Sequence, residues 1–148
     1  MITETLPPVS QTFTTGDDQL VGEDGRIDEF TLVNLTDAKF PKGKNPVFAS
    51  ITNFNVSEDS INAPSDLPRT AVDAGVLNGL SSNDFGAALT TTNFAANGAA
   101  LLTFDDSGTT RTFLAINDST DGFDNRRDAV IELIDPVGDL IQTQIQIF

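Results

Sequence analysis

The chain has 148 residues and a formal net charge of −14, and it contains neither cysteine nor histidine. This length suits a single domain. The negative charge disfavours nucleic acid and anionic lipid as partners. The missing side chains exclude the usual ligands of zinc, haem and iron–sulfur clusters, as well as thiol and imidazole catalysis. Oxygen ligands remain, and these suit calcium or magnesium.

Short strands separated by turns are predicted along most of the chain. Residues 1–15 contain Pro7-Pro8 and show no strong period, which predicts a loose N-terminal arm or an edge strand before a single β domain at residues 16–148. KFPKGKN, at residues 39–45, is a basic loop, Ser81–Leu89 is a candidate short helix, and Asp105–Gly108 is a hairpin signal. Strands are predicted at residues 29–34, 47–54, 99–104, 110–116, 129–134 and 140–148.

These elements together predict an all-β fold. We expect an antiparallel β-sandwich or a β-roll-like module with at most one or two short helices. Eleven phenylalanines, with no tyrosine or tryptophan, predict a core of Phe, Ile, Leu and Val. No apolar run is long enough to cross a bilayer, so membrane insertion is not expected. The N-terminal MITETLPPVSQTF lacks the basic and apolar regions of a cleavable signal peptide.

The densest acidic segment is INDSTDGFDNRRDAVIEL, at residues 116–133. Taken as a window, residues 117–128 follow the spacing of an EF-hand loop, with glycine at the sixth position. An EF-hand is rejected because the last position is aspartate and the flanks are predicted strands, but a calcium site remains possible. Arg126 and Arg127 could instead neutralise the aspartates, and the alternative is a solvated loop with Asx-turns. The candidate calcium ligands here are Asn117, Asp118, Asp121, Asp124 and Asp128.

A second acidic segment is GDDQLVGEDG, at residues 16–25. Its glycines allow tight turns. Asp18 lies two residues before Leu20, as in the nonapeptide β-roll repeat, in which aspartates bind calcium and an apolar residue packs inside. An ordinary Gly/Asp turn is the alternative. The candidate ligands here are Asp18, Asp24 and Asp28. A weaker candidate is TNFNVSEDSIN, at residues 52–62, in which Asp59 and Asn62 could cap a turn.

Catalytic chemistry is not indicated by any motif. The sequence contains no P-loop and no dinucleotide fingerprint, and its serines and lysines lie in no activating motif. A hydrolase or lyase acting on polysaccharide, with a carboxylate pair in a cleft, is one alternative. It would lack the usual aromatic sugar platform, because the chain has no Trp or Tyr. A calcium-independent protein-interaction domain is the other alternative.

Three segments resemble known families. GDDQLVG at residues 16–22, followed by GRIDEFTL at 25–32, resembles the last repeat of RTX (hemolysin-type calcium-binding) proteins. ITNFNVSEDSIN at 51–62 is similar to the segment that follows that repeat. TFLAINDSTDGFD and DAVIEL, within residues 112–133, resemble the signature of the bluetail domain, which stands at the C-terminus of cyanobacterial surface and secreted proteins. The extended repeat array is missing, and Glu23 stands where glycine is usual.

The resemblance implies a calcium-stabilised structural or adhesive module, extracellular or on the cell surface and exported by type I secretion. Ca²⁺ is the implied cofactor, and a cell-surface polysaccharide or another surface protein is the implied partner. Cytosolic calcium is too low to fill sites of the extracellular class, whose Kd is about 10⁻⁴ to 10⁻³ M. Folding is therefore expected to follow calcium binding outside the cell.

Overall fold

The computed structural model describes residues 7–43, 45–64, 69–140 and 145–148. Strands dominate this part of the chain, and a 3₁₀ turn lies at Leu35–Ala38. In chain order the elements are β1 (Val9–Thr12), β2 (Gln19–Val21), β3 (Asp28–Thr31), β4 (Ala49–Thr52), β5 (Ser60–Asn62), β6 (Ala71–Val76), α1 (Ser82–Ala88), β7 (Ala99–Asp106), β8 (Thr109–Ile116), β9 (Ala129–Ile134) and β10 (Gln146–Ile147).

The strands form two sheets through which the chain winds. One sheet has the order β1-β3-β5-β10, and all its neighbouring strands are parallel. The other has the order β2-β4-β9-β8-β7-β6. From β1 to β5, consecutive strands alternate between the two sheets, so each strand lies parallel to the strand two positions earlier. The segment from β6 to β8 interrupts this winding, which resumes with β9 beside β4 and β10 beside β5.

The prediction of a largely β chain is confirmed, but the predicted antiparallel pairing holds only for β7 with β8 and β8 with β9. The other neighbouring strands are parallel. Alternating apolar residues look the same in a sequence whichever way the neighbouring strand runs. Parallel neighbours need a crossover connection, and here the passage through the opposite sheet supplies it.

Several predicted elements are present with shifted ends. The predicted helix is α1, capped by Ser81, whose backbone N–H donates to the Asp84 carboxylate at 3.0 Å while its hydroxyl accepts from the Asp84 N–H at 3.2 Å. Val9–Thr12 forms an edge strand, one of the two forms considered for residues 1–15. Part of the predicted last strand, residues 141–144, lies outside the described residues. In the described part of the chain, no helix is long and apolar enough to cross a membrane.

The central strands of the six-stranded sheet are buried on both faces, so this part of the molecule has three layers. Leu114 and Ile116 of β8 face the four-stranded sheet. Phe113, on the opposite face of the same strand, packs against Phe85 of α1 with ring centroids 5.5 Å apart. Because both faces are covered, β7, β8 and β9 contain continuous apolar runs. The acidic loop at residues 117–128 therefore lies between two buried strand ends, of β8 and of β9.

Two glycines provide a test of this packing. A Cβ on Gly22 would lie 2.8 Å from the Asn53 carbonyl oxygen, whereas a Cβ on Gly86, inside α1, would meet only Phe123 at 4.0 Å. We expect Gly22→Ala to lower the free energy of unfolding by about 1–3 kcal/mol. Gly86→Ala should raise it by up to about 1 kcal/mol. Urea unfolding followed by far-UV circular dichroism measures both, and a Gly22→Ala variant as stable as the parent would contradict the close approach.

Candidate metal site

The predicted calcium ligands lie at opposite ends of the wound strands. The turn containing Asp18 and the loop at residues 117–128 lead into β2 and β9, whose starts lie at the same end of the sheet because β2, β4 and β9 are parallel. Asp24 lies in the turn that follows β2 and Asp28 is the first residue of β3, both at the other end. The eight predicted ligands therefore do not form one site.

At the first end, the carboxylate of Asp128 closes the loop at residues 117–128. Asp128 is fully buried, and its two oxygens accept the backbone N–H groups of Asp118 at 2.9 Å and Asp124 at 2.6 Å. Asp118 and Asp124 form Asx-turns of their own, accepting the N–H groups of Thr120 and Arg126 at 2.8 Å each. The aspartates of this loop organise its backbone.

Two other carboxylates, of Asp118 and Asp124, lie near Asp128 and repel its negative charge. Burial raises the pKa of Asp128 to about 6; its two N–H donors oppose this, and the charges of Asp118 and Asp124 add to it. Arg127 lies 3.9 Å from Asp118 and 3.6 Å from Asp124, and its side chain is 64% exposed. An exposed ion pair contributes only about 0–1 kcal/mol. Arg127 therefore neutralises the carboxylates of Asp118 and Asp124 only weakly.

Buried Arg69 also faces this charge. Its side chain is 5% exposed; burial lowers the pKa of Arg69, and the negative charge of Asp128 opposes that change. One terminal nitrogen of Arg69 donates to the Pro64 carbonyl at 2.9 Å. Arg69 was not a predicted site residue, and nothing in its sequence neighbourhood identifies it as one.

Asn117 joins the loop to a distant segment. Its side-chain amide donates to the carbonyl oxygens of Phe94 and Ala95, each at 2.9 Å. The amide oxygen of Asn117 is buried and has no hydrogen-bond partner among the described residues. Asp121 contacts the same segment and accepts the N–H of Ala96 at 2.8 Å. Asn117 and Asp121 thus hold residues 94–96 against the loop. Among the described residues, the buried amide oxygen of Asn117 has no hydrogen-bond donor.

At the opposite end, Asp28 and Asp59 are buried side by side. Asp28 Oδ2 accepts the N–H of Glu23 at 2.8 Å, and the backbone N–H of Asp28 donates to Asp59 Oδ1 at 2.9 Å. The second oxygen of Asp59 accepts the N–H of Asn55 at 2.8 Å. Burial raises the pKa of Asp59, and the nearby Asp28 adds to the effect. Asp28 Oδ1 is buried and has no hydrogen-bond partner in the described part of the chain.

Of the two remaining predicted ligands, Asp18 caps its own turn and Asp24 makes a long-range contact. Asp24 accepts a hydrogen bond from the side-chain amide of Asn53 at 2.7 Å. Asp18 accepts the backbone N–H of Thr14 and also its hydroxyl, the latter at 2.8 Å. Asp24 is exposed and Asp18 half-buried. The geometry of Asp18 is that of the ordinary Gly/Asp turn, the alternative for residues 16–25.

One sequence pattern recurs at both ends. In three turns an aspartate accepts the backbone N–H of the residue four positions earlier, and a phenylalanine precedes that donor. In these turns the phenylalanine packs in or beside the core and the aspartate closes the turn, but the same spacing also occurs at Phe113 and Asp118, where Asp118 accepts the Thr120 N–H instead. The spacing therefore marks Asp59 as a candidate but does not by itself identify a closing aspartate. The three pairs are Phe13 with Asp18, Phe54 with Asp59, and Phe123 with Asp128.

No group of three or more acidic side chains placed to hold a metal ion occurs within the described ranges. No protein-family model, curated protein or solved structure matches the chain. The eight calcium ligands and the resemblance to RTX and bluetail proteins therefore stay predictions.

Proposed function

We propose that the chain is a non-catalytic, calcium-stabilised module with a structural or adhesive role outside the cell or on its surface. One observation carries the calcium part. The buried side-chain oxygens that lack a hydrogen-bond partner among the described residues belong to Asn117 and Asp28, and both residues are predicted ligands. Buried polar groups are nearly always paired, and a bound ion is one explanation for an unpaired oxygen.

The surroundings of Asp28 support a cation there. The unpaired oxygen is Asp28 Oδ1. Asp28 Oδ2 and the Asn53 carbonyl oxygen both approach Gly22, 3.3 and 2.8 Å from where a Cβ would lie, so three oxygens lie in this region. Calcium takes six to eight oxygen ligands, including backbone carbonyls and water, and tolerates irregular geometry. A calcium ion bound to Asp28 would also offset the repulsion between Asp28 and Asp59.

The loop at residues 117–128 supports a second cation on electrostatic grounds. Three carboxylates lie close enough that the charges of Asp118 and Asp124 raise the pKa of Asp128. A divalent ion would stabilise all three in their charged form. Arg127 occupies part of this space at 3.6–3.9 Å, so calcium binding here would displace or reorient its exposed side chain.

The parallel winding supports a β-roll-like module, the finer form of the fold that we propose. A non-catalytic role is supported by the carboxylates of the turns, which are occupied with backbone N–H donors. The net charge of −14 would keep the unfolded chain expanded at low calcium. Export by type I secretion, followed by folding in external calcium, is consistent with these properties and is part of the proposal.

Asp28→Asn tests the calcium role because its effect on stability should differ in sign without and with calcium. Without calcium the variant should be at least as stable as the parent, because a neutral amide removes a buried charge and still offers an oxygen to the Glu23 N–H. At free calcium of about 100 times Kd, the parent should gain about 2.7 kcal/mol for each site, and the variant should lose the part that comes from Asp28. Thermal unfolding in EDTA and in calcium measures both.

Asp73→Asn is the matched control. Asp73 is exposed and accepts only the N–H of Gly75, at 2.9 Å, so this variant should keep the full response to calcium. An Asp28→Asn variant that responds to calcium as strongly as the parent would remove Asp28 from the ligand set.

A further inference from the structure

A cleft of about 930 Å³ lies between the basic loop, the start of α1 and the loop at residues 117–128. Its rim includes Lys39 and Lys42 from the basic loop and Arg126 from the acidic loop. All three side chains are exposed. The fold therefore brings together positive charges that are more than eighty residues apart in the sequence.

These charges differ from the other exposed cations of the described residues, because no described carboxylate lies within ion-pair distance of them. The chain has 8 basic and 22 acidic residues, and Arg26, Arg111 and Arg127 each lie within 4.0 Å of a carboxylate. Arg69 is buried. Among the described residues, the exposed cations without a carboxylate within that distance all line the cleft, and they are Lys39, Lys42 and Arg126.

The cleft also offers neutral polar groups. The side chains of Ser82 and Asn125 line it and make no hydrogen bond with the described part of the chain. Among the described residues on the rim, Asp84 is the one with a carboxylate. The Ser81 hydroxyl donates a hydrogen bond to it at 2.6 Å, and this hydrogen bond lowers the pKa of Asp84. Asp84 is therefore an acceptor for hydroxyl groups. A ligand that fits this lining carries both negative charges and hydroxyls.

We propose that the cleft binds an anionic oligosaccharide, whose carboxylate or sulfate groups contact Lys39, Lys42 and Arg126 and whose hydroxyls contact Ser82, Asn125 and Asp84. This proposal rests on the adhesive part of the proposed function and names its ligand class. An acidic peptide fits this lining less well, because it offers negative charges without an array of hydroxyls. A second copy of this chain fits less well because each copy carries a net charge of −14.

Screening explains how an acidic protein binds an anion here. The Debye length is about 8 Å at physiological ionic strength, so charges on distant loops contribute little inside the cleft. Within that distance Lys39, Lys42 and Arg126 set a positive local potential, which Asp84 and Asp124 reduce. Binding should weaken steadily as salt is added, because the same ions also screen the contacts with the ligand.

The test is fluorescence anisotropy with end-labelled oligogalacturonate and with a sulfated oligosaccharide of equal length. It is done in EDTA so that calcium cannot bridge the partners, and below the melting midpoint that the wild-type protein has in EDTA, so that the protein is folded. We expect the wild-type protein to bind at least one of them, and the one that binds identifies the anionic group. Lys42→Gln combined with Arg126→Gln should weaken that binding by about tenfold or more. Melting midpoints of the variants check that they fold.

The matched control is Val76→Glu combined with Thr109→Glu, which lowers the net charge by the same two units at exposed sites that do not line the cleft. It should bind nearly as tightly as the parent. Equal losses in the two double variants, no binding of either sugar, equal binding of a neutral oligosaccharide, or tighter binding of poly-glutamate would each overturn the proposal. The wild-type salt dependence tests it without any variant, and the calcium response tests the proposed function separately.

Discussion

Replacing Asp128 with alanine is expected to lower the free energy of unfolding by about 2–6 kcal/mol. The backbone N–H groups of Asp118 and Asp124 would lose their buried acceptor, and each unsatisfied buried group costs about 1–3 kcal/mol. Near pH 7 the effect should fall toward the lower end, because the variant also loses a buried charge. Urea unfolding followed by far-UV circular dichroism is the measurement, since the chain has no Trp or Tyr.

Asp121→Ala is the matched control for this prediction. Asp121 lies in the same loop, is exposed and accepts a hydrogen bond from Ala96, so its loss should cost no more than about 1.5 kcal/mol. If the two variants are equally stable, the carboxylate of Asp128 does not organise the loop, and the loop is held by its backbone alone.

Stability without calcium is expected to fall as the pH rises from about 4 to about 6. Burial raises the pKa of Asp128 from its ordinary value of 3.8 to about 6 in the folded protein. Between these values the folded state holds a proton that the unfolded state has released, so a higher pH favours unfolding. The change amounts to about 3 kcal/mol over this range, and the raised pKa of Asp59 acts in the same direction.

Asp128→Asn isolates the contribution of this carboxyl, because the amide does not titrate. The wild-type free energy of unfolding should fall more steeply with pH than that of the variant, by up to about 1.4 kcal/mol per pH unit between pH 4 and 6. Parallel pH profiles would contradict a raised pKa at Asp128. Calcium should flatten the wild-type profile if it binds the charged carboxylates.

The elements that the sequence predicted well are those with a strong apolar pattern. β9 occupies the predicted range, residues 129–134, and β7 and β8 form the predicted hairpin around the turn near Gly108. β5 and β6 were not predicted as strands because they are short or rich in Ala and Gly. Parallel pairing was missed because it depends on which segments meet, and no local residue pattern records that.

The candidate site was predictable only in its local part. The aspartates of the loop at residues 117–128 lie together, as their spacing suggests, and they cap turns, as the alternative held. The contact between Asn117 and residues 94–95 joins distant segments. The burial of Asp28 against Asp59 and the cleft that unites Lys42 with Arg126 also depend on the winding. These long-range contacts carry the two unpaired oxygens and the unpaired cations on which the proposals depend.

Thermal unfolding of the wild-type protein in excess EDTA, in magnesium and in calcium tests the central claim most directly. We expect calcium at about 100 times Kd to add about 2.7 kcal/mol per site, which corresponds to an increase of roughly 5–10 °C in the melting midpoint for a chain of this size. Magnesium should do little, because it demands a near-ideal octahedral site. Coincident curves in EDTA and in calcium would contradict the claim and leave the acidic loops as polar turns held by their own backbone.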